Sequence, residues 1–217
     1  MGSKLSKEQR QYLERAWETY SPHLGDAEGW LESRGLSLEF AQSRGLGVVR
    51  DPLPGHEKMR GYLAIPYLTK AGPVNIQFRC LQNHNCKEIP DHQKYRKRKG
   101  SPVNLYGVLS VAQAEDWIVV TEGEIDALTW QQIGVPALAV PGAENWKEHW
   151  ANLLEDFSRV YLAEDGDTAG KDLWIAMSEH IDQGNTMVVR MRMPDGEDSN
   201  SMYLKHGKEY LLGRIKK

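Results

Sequence analysis

The sequence predicts an α/β fold: a sheet of mostly parallel strands flanked by helices, preceded by a small N-terminal lobe that is helical and then mixed α+β. Three observations predict it. From Trp117 to Arg192, apolar runs of strand length alternate with longer stretches of helical spacing, the pattern of a parallel sheet covered by helices. Ahead of residue 110 that alternation is missing, and helical spacing gives way to a hairpin-like strand pair. Two acidic clusters each follow directly on one of the later apolar runs, at the strand ends where open α/β sheets carry their ligands.

Taken in order, Tyr12, Leu13, Ala16, Trp17 and Tyr20 recur at helical spacing from Lys7 onward. Ser21-Pro22 stops that helix, because proline lacks the amide proton a helix interior uses. Residues 27–34 and 38–44 read as shorter helices, each stopped by a glycine, and their aromatic residues read as core. Residues 62–66 and 74–78 flank Lys70-Ala71-Gly72-Pro73 as a strand pair. The alternation that follows predicts strands at 117–121, 136–140, 159–163 and 186–192, and helices at 124–133, 145–156 and 169–183. No internal repeat or low-complexity tract interrupts the chain.

A chain of 217 residues with 40% hydrophobic content and a mean hydropathy of −0.58 suits a soluble globular protein, long enough for one sizeable core or for a small lobe plus a full domain. No apolar stretch approaches the roughly 20 residues of a membrane span, so no membrane partner is expected. Met1 to Arg10 lacks the apolar centre of a secretory signal. Two cysteines make no disulfide framework, which points to a reducing cytoplasm. The net charge of −3 is unevenly spread. Lys94, Arg96, Lys97, Arg98 and Lys99 form a basic block around Tyr95; such cations neutralise phosphates and release counterions, and a tyrosine among them can stack a base. An isolated run of this kind reads as a solvated loop. Placed just before an acidic core, it reads as a groove for single-stranded template.

The acidic clusters carry the chemistry. Glu122-Gly123-Glu124-Ile125-Asp126 follows Trp117-Ile118-Val119-Val120, and Asp165-Gly166-Asp167 follows Val160-Tyr161-Leu162-Ala163. Carboxylates brought together repel one another and lose hydration, which a divalent cation offsets. Hard oxygen ligands of this kind suit Mg²⁺ or Mn²⁺. Either cluster alone would read as a solvated turn; the pairing at strand ends favours metal.

Glu-Gly-x-x-Asp after one strand and Asp-x-Asp-x-Ala-Gly-Lys (Asp165 to Lys171) after another resemble the Toprim domain shared by bacterial-type primases, topoisomerases and some nucleases. The second motif is most similar to the primase version. Lys94-Tyr95 with Leu105-Tyr106-Gly107, the stretches Arg60 to Pro66 and Asn75 to Arg79, and Met193 to Asp198 all resemble DnaG-type primase segments, in family order from about Gly29 to Gly207. The resemblance implies a Toprim-type sheet in residues 111–217 and a template-binding lobe in residues 1–110. It implies Glu122, Asp165 and Asp167 as catalytic metal ligands, Asp126 and Asp198 as supporting acids, and Arg79 and Lys94 as template contacts, with Tyr95, Arg96, Lys97 and Arg98 beside them. Lys171 opens a helix after Gly170, near where a triphosphate would lie, and reads equally as an ordinary surface lysine. The implied activity is synthesis of short RNA primers on single-stranded DNA from ribonucleoside triphosphates, in a bacterial cytoplasm, from a cellular or a phage gene, with a replicative helicase or separate zinc-binding protein as partner. A Toprim nuclease, or a non-catalytic nucleic-acid-binding module, is the alternative. Where primases often have Asp-Pro-Asp, this chain has Asp198-Ser199-Asn200, with a neutral third position.

Cys80, His84, Cys86 and His92 are of zinc-ligand types, but the spacing Cys-x3-His-x-Cys-x5-His is not that of a standard finger or ribbon. Zinc is therefore not expected. The segment reads as two reduced thiols and two solvent histidines in a polar connector.

Overall fold

Ser6 starts the first helix. Its hydroxyl accepts from the Gln9 amide at 3.2 Å while the Gln9 side chain accepts from the Ser6 amide at 2.8 Å, a reciprocal cap that satisfies two orphan donors. The computed structural model describes residues 5–166, 168–181 and 186–215, and the chain divides into two units, Met1–Pro102 and Val103–Lys217.

In the first unit, α1 (Lys7–Tyr20) buries Ala16 and Tyr20. A 3-10 stretch over Ser21–Ala27, with Pro22 in its first turn, replaces the helix where the proline predicts a stop. Two short helices follow, α2 (Glu28–Ser33) and α3 (Leu38–Ser43). The unit then builds an antiparallel sheet from β1 (Gly47–Val48), β2 (Leu63–Thr69), β3 (Gly72–Arg79) and β4 (Tyr95–Lys97), in that order. Tyr20, Tyr62, Ile76 and Phe78 pack together against it, and the Tyr20 hydroxyl lies 2.9 Å from Nδ1 of the buried His56. Strand β4 is absent from the sequence prediction, since Tyr-Arg-Lys carries no apolar alternation. It forms because β3 offers its edge, pairing Arg79 with Tyr95 and Gln77 with Lys97.

The second unit begins earlier than the strand pattern implies, because residues 103–114 pack onto its core. Val103, Val108 and Val111 lie against that core, Val103 O accepts from Lys147 Nζ at 3.1 Å, and Tyr106 bridges Ala139. The remaining elements are β5 (Trp117–Thr121), α4 (Glu124–Gln132), β6 (Ala137–Ala139), β7 (Arg159–Glu164), α5 (Thr168–His180), β8 (Met187–Arg192), α6 (Ser199–His206) and α7 (Lys208–Arg214). The sheet order is β6-β5-β7-β8, with every pair parallel. The central strands β5 and β7 are buried on both faces, which explains their unbroken apolar runs. The edge strand β8 carries Arg190 and Arg192, as edge strands commonly do.

One expected helix does not form. Residues 145–156 instead adopt 3-10 turns at Ala143–Asn145 and Glu148–Leu153. Trp150 donates to Lys147 O and Leu154 to Ala151 O, the tighter bonding pattern. Trp150, Ala151 and Leu154 are buried all the same, so their spacing marks a buried face and not an α-helical ladder. The helices α6 and α7 go beyond the sequence prediction. Among the described residues, no helix is long and apolar enough to cross a membrane.

Candidate active site

Parallel pairing of β5 and β7 places Thr121 opposite Ala163, so Glu122 and Asp165 leave the same sheet edge. Glu122 Oε1 accepts from the Asp165 amide at 2.9 Å. Gly170, in the first turn of α5, makes this approach possible. A Cβ there would stand 2.5 Å from Glu122 Oε1 and 2.8 Å from Asp165 O, too close for any side chain.

The Asp165-Gly166 turn is stitched to the segment after β8. Met193 donates to Glu164 O at 2.8 Å, Gly166 to Glu197 O at 2.9 Å and Gly196 to Gly166 O at 3.1 Å. A Cβ on Gly166 would meet Pro194 O at 1.9 Å. This stitching delivers Asp198, which caps α6 by accepting from the Ser201 amide at 2.6 Å. Two residues on, the Asn200 amide donates to Asp126 Oδ1 and its Nδ2 to Thr129 Oγ1, both at 2.9 Å, which fastens α6 to α4.

Asp126 is buried, and its carboxyl is pushed up to about 7. Burial is the main cause, followed by the charge of Asp198; Glu122 adds to the effect and the Asn200 amide opposes it. Asp126 therefore lies within reach of the charges of Asp198 and Glu122. A buried carboxyl pushed toward its neutral form beside other carboxylates fits a divalent cation, whose charge reverses that push. Among the described residues, these carboxylates do not close into a group of three ligand atoms at metal-ligand spacing. Asp167 lies outside the described residues. Lys171 is exposed on the first turn of α5.

Three residues of this region escape a reading of the sequence alone. Glu164 is fully buried at the end of β7 and pairs with Arg190, one contact being Arg190 Nη2 to Oε1 at 2.8 Å. Arg190 in turn lies 4.7 Å from the Trp174 ring. Asn200 takes a bracing position and not that of an ion ligand. Gly170 could have been found only by asking why an Ala-Gly-Lys sequence opens a helix, where glycine costs about 1 kcal/mol.

In the first unit, the residues of the basic block take separate surroundings. Arg79 is buried, donates to Cys80 O at 2.9 Å, and has its guanidinium 5.0 Å from the Tyr95 ring and 5.7 Å from Trp30. Arg79 and Lys94 line a cleft of about 1070 Å³ together with Trp30, Arg34 and Lys87. Arg96 instead turns to Tyr62, Nε to Oη 3.3 Å, and to Asp91 O. Arg98 lies over Tyr12 at 4.3 Å and borders a separate cavity of about 300 Å³; Lys97 is exposed. Trp30 is only half-buried, so the assignment of all the early aromatic residues to the core is corrected: this one forms cleft wall.

The same cleft is lined by His84, Cys86 and His92. The expectation of an open polar connector does not hold. Both thiols are buried and both imidazoles half-buried, and the ligand atoms of Cys80, His84, Cys86 and His92 all lie within 4.8 Å of one another.

Residues 119–203 match the family model described as Toprim-like. The chain is 32% identical over 156 residues to the Gene 57 protein of Mycobacterium phage D29, covering 72% of this chain and 99% of that protein. It is 30% identical to the DNA primase of Escherichia coli (strain K12) across 95% of this chain, and spans 38% of that primase's length. The solved structure of the DnaG primase catalytic domain bound to ssDNA superimposes with a TM-score of 0.71 at 24% identity, covering 96% of this chain and 82% of that one; at that identity the likeness is one of fold.

Proposed function

The chain belongs to the family of Toprim-bearing DnaG-type DNA primases, and we propose that it is a primase catalytic core, making short RNA primers on single-stranded DNA by metal-dependent nucleotidyl transfer. The observation that carries this reading is the convergence of Glu122, Asp126, Asp165 and Asp198 at one sheet edge, with the Asp126 carboxyl pushed up by burial and by the charges of Asp198 and Glu122. Mg²⁺ or Mn²⁺ held by Glu122, Asp165 and Asp167, with Asp126 and Asp198 in support, would supply charge neutralisation at the attacking 3′-hydroxyl and at the departing pyrophosphate.

The chain's own residues set the frame for that step. Glu122 is oriented by the Asp165 amide, and Gly170 leaves space beside it. Lys171, exposed at the start of α5, is suited to a triphosphate oxygen. Arg79, Lys94 and Tyr95 are the proposed contacts to the template strand, with Trp30 available to stack a base; Arg96, Lys97 and Arg98 take secondary positions along its path. The setting is a bacterial cytoplasm, with a replicative helicase or a separate zinc-binding protein supplying initiation functions.

Incubation with single-stranded DNA, labelled ribonucleotides and Mg²⁺ or Mn²⁺ tests the reading. New labelled RNA complementary to the template is the expected product. Shortened DNA would identify a nuclease instead, and binding without either product would leave a nucleic-acid-binding module.

A further inference from the structure

Residues 80–94 join β3 to β4 and contain a single short element, the 3-10 turn Cys86–Glu88. Ordering so long a connector costs conformational entropy that little regular hydrogen bonding offsets. Its ends are clasped, with Cys80 donating to Lys94 O at 2.9 Å. Between them the chain folds back so that two thiols and two imidazoles meet.

The geometry of that meeting is close to a coordination shell. Nε2 of His92 and Nε2 of His84 stand 3.2 and 3.8 Å from Cys80 Sγ, and all four ligand atoms fall within 4.8 Å of one another. Tetrahedral zinc, with Zn–S of about 2.3 Å and Zn–N of about 2.0–2.1 Å, sets sulfur and nitrogen ligands about 3.6 Å apart. The two observed separations straddle that value. Outer contacts also suit a metal site. The Gln82 amide points at Cys80 Sγ from 3.4 Å. The Tyr62 hydroxyl donates to Gln93 O at 2.9 Å and lies beside the His92 ring. Sulfur and imidazole ligands select zinc over the hard cations suited to carboxylates.

We propose that Cys80, His84, Cys86 and His92 form a tetrahedral zinc site that fixes the β3–β4 loop, and with it Lys87 and Lys94 at the rim of the basic cleft. The site is structural: four protein ligands leave no open position for substrate. It stands independently of the catalytic reading, because it uses none of the acidic residues.

The full chain, purified under reducing conditions from zinc-supplemented cells, should carry one zinc per chain by elemental analysis. After chelation, Co²⁺ titration should produce a thiolate-to-cobalt charge-transfer band and tetrahedral visible bands. The acidic site has no thiolate and cannot give the first of these. Cys86→Ser and His84→Ala should each weaken cobalt binding by about 100-fold or more, since even outer-shell changes cost about 10–100-fold. Substituting a buried thiol risks unfolding, so His84→Ala, at a half-exposed ligand, serves as the second variant, and circular dichroism checks both. Tryptic cleavage after Lys87 should accelerate at least about tenfold on chelation, as the loop opens. A zinc-free chain whose cobalt form lacks the charge-transfer band would overturn the proposal. So would a Cys80–Cys86 disulfide persisting under reducing conditions, or cleavage at Lys87 indifferent to chelator.

Discussion

The two units gather metal-ligand side chains in contrasting ways. In the second unit the donors are hard oxygens, brought to one sheet edge by β5, β7 and the cap of α6; among the described residues they do not close to ligand spacing, and Asp126 is pushed toward neutrality by burial and by Asp198. In the first unit the donors are soft sulfur and nitrogen on one irregular loop, already at coordination spacing. An acidic site that is to exchange a cation and admit phosphates benefits from being loose until substrate arrives; a site that only holds a loop benefits from being closed. Ligand chemistry and tightness thus vary together, and the two sites should respond to different metals and different substitutions.

The largest separation should come from Glu122→Gln and Asp165→Asn. Each keeps shape while removing charge, and each should lower primer synthesis by about 10²–10³-fold, the scale of losing a placed electrostatic group. Neither should change the zinc content of the chain. Full activity in both variants would remove the acidic cluster from the chemistry, and zinc loss in either would show that the two sites are not separate.

Gly170→Ala comes next. Alanine favours a helix by about 1 kcal/mol, yet its Cβ would collide with Glu122 Oε1 and Asp165 O. Displacing Glu122 should cut synthesis by about 10–100-fold, and the melting temperature should fall, because the Cβ also meets the Asp165 carbonyl and the buried Glu164. Wild-type turnover in that variant would mean that the cradle around Glu122 adjusts freely.

Asp126 provides a test by pH. Its folded value of about 7 lies above the ordinary 3.8, so between these values the folded chain holds a proton that the unfolded chain releases. Its contribution to stability is therefore fully present below about pH 4 and is lost as pH rises toward about 7. Asp126→Asn does not titrate and still accepts the Asn200 amide. Its melting temperature should gain on the parent progressively from pH 4 to 7 and level off above. Mn²⁺ should narrow the gap at pH 7 and higher by stabilising the parent's carboxylate. A difference that stays constant across the range would show that Asp126 is ionised throughout.

The smallest effect should be in the basic cleft. Lys94→Ala should weaken single-stranded DNA binding a few-fold and reduce the salt slope by about 0.7, one counterion's worth for a single strand. Arg96→Ala and Arg98→Ala should change the slope less, because Tyr62, Asp91 and Tyr12 already engage those guanidinium groups. Equal slopes for all three would mean that the template follows the whole block.

Much of the fold follows from local pattern. The continuous apolar runs at Ile118 to Val120 and Val160 to Ala163 announce strands buried on both faces, and the acids after them announce a ligand edge, because a parallel sheet leaves few other places for such runs and such charges. Proline at 22 and the glycines at 35 and 45 announce the helix ends through their own backbone limits. What the sequence could not determine depends on partners distant along the chain. Asn200 braces Asp126 across the α4–α6 contact, and Glu164 ends in a buried pair with Arg190. Tyr62 and Tyr12, distant along the chain, engage Arg96 and Arg98 and leave Lys94 at the cleft. The Cys80–His92 loop shows the limit most clearly: its spacing matches no familiar zinc pattern, because a coordination shell depends on distances in space, which a folded loop sets independently of the residue count between ligands.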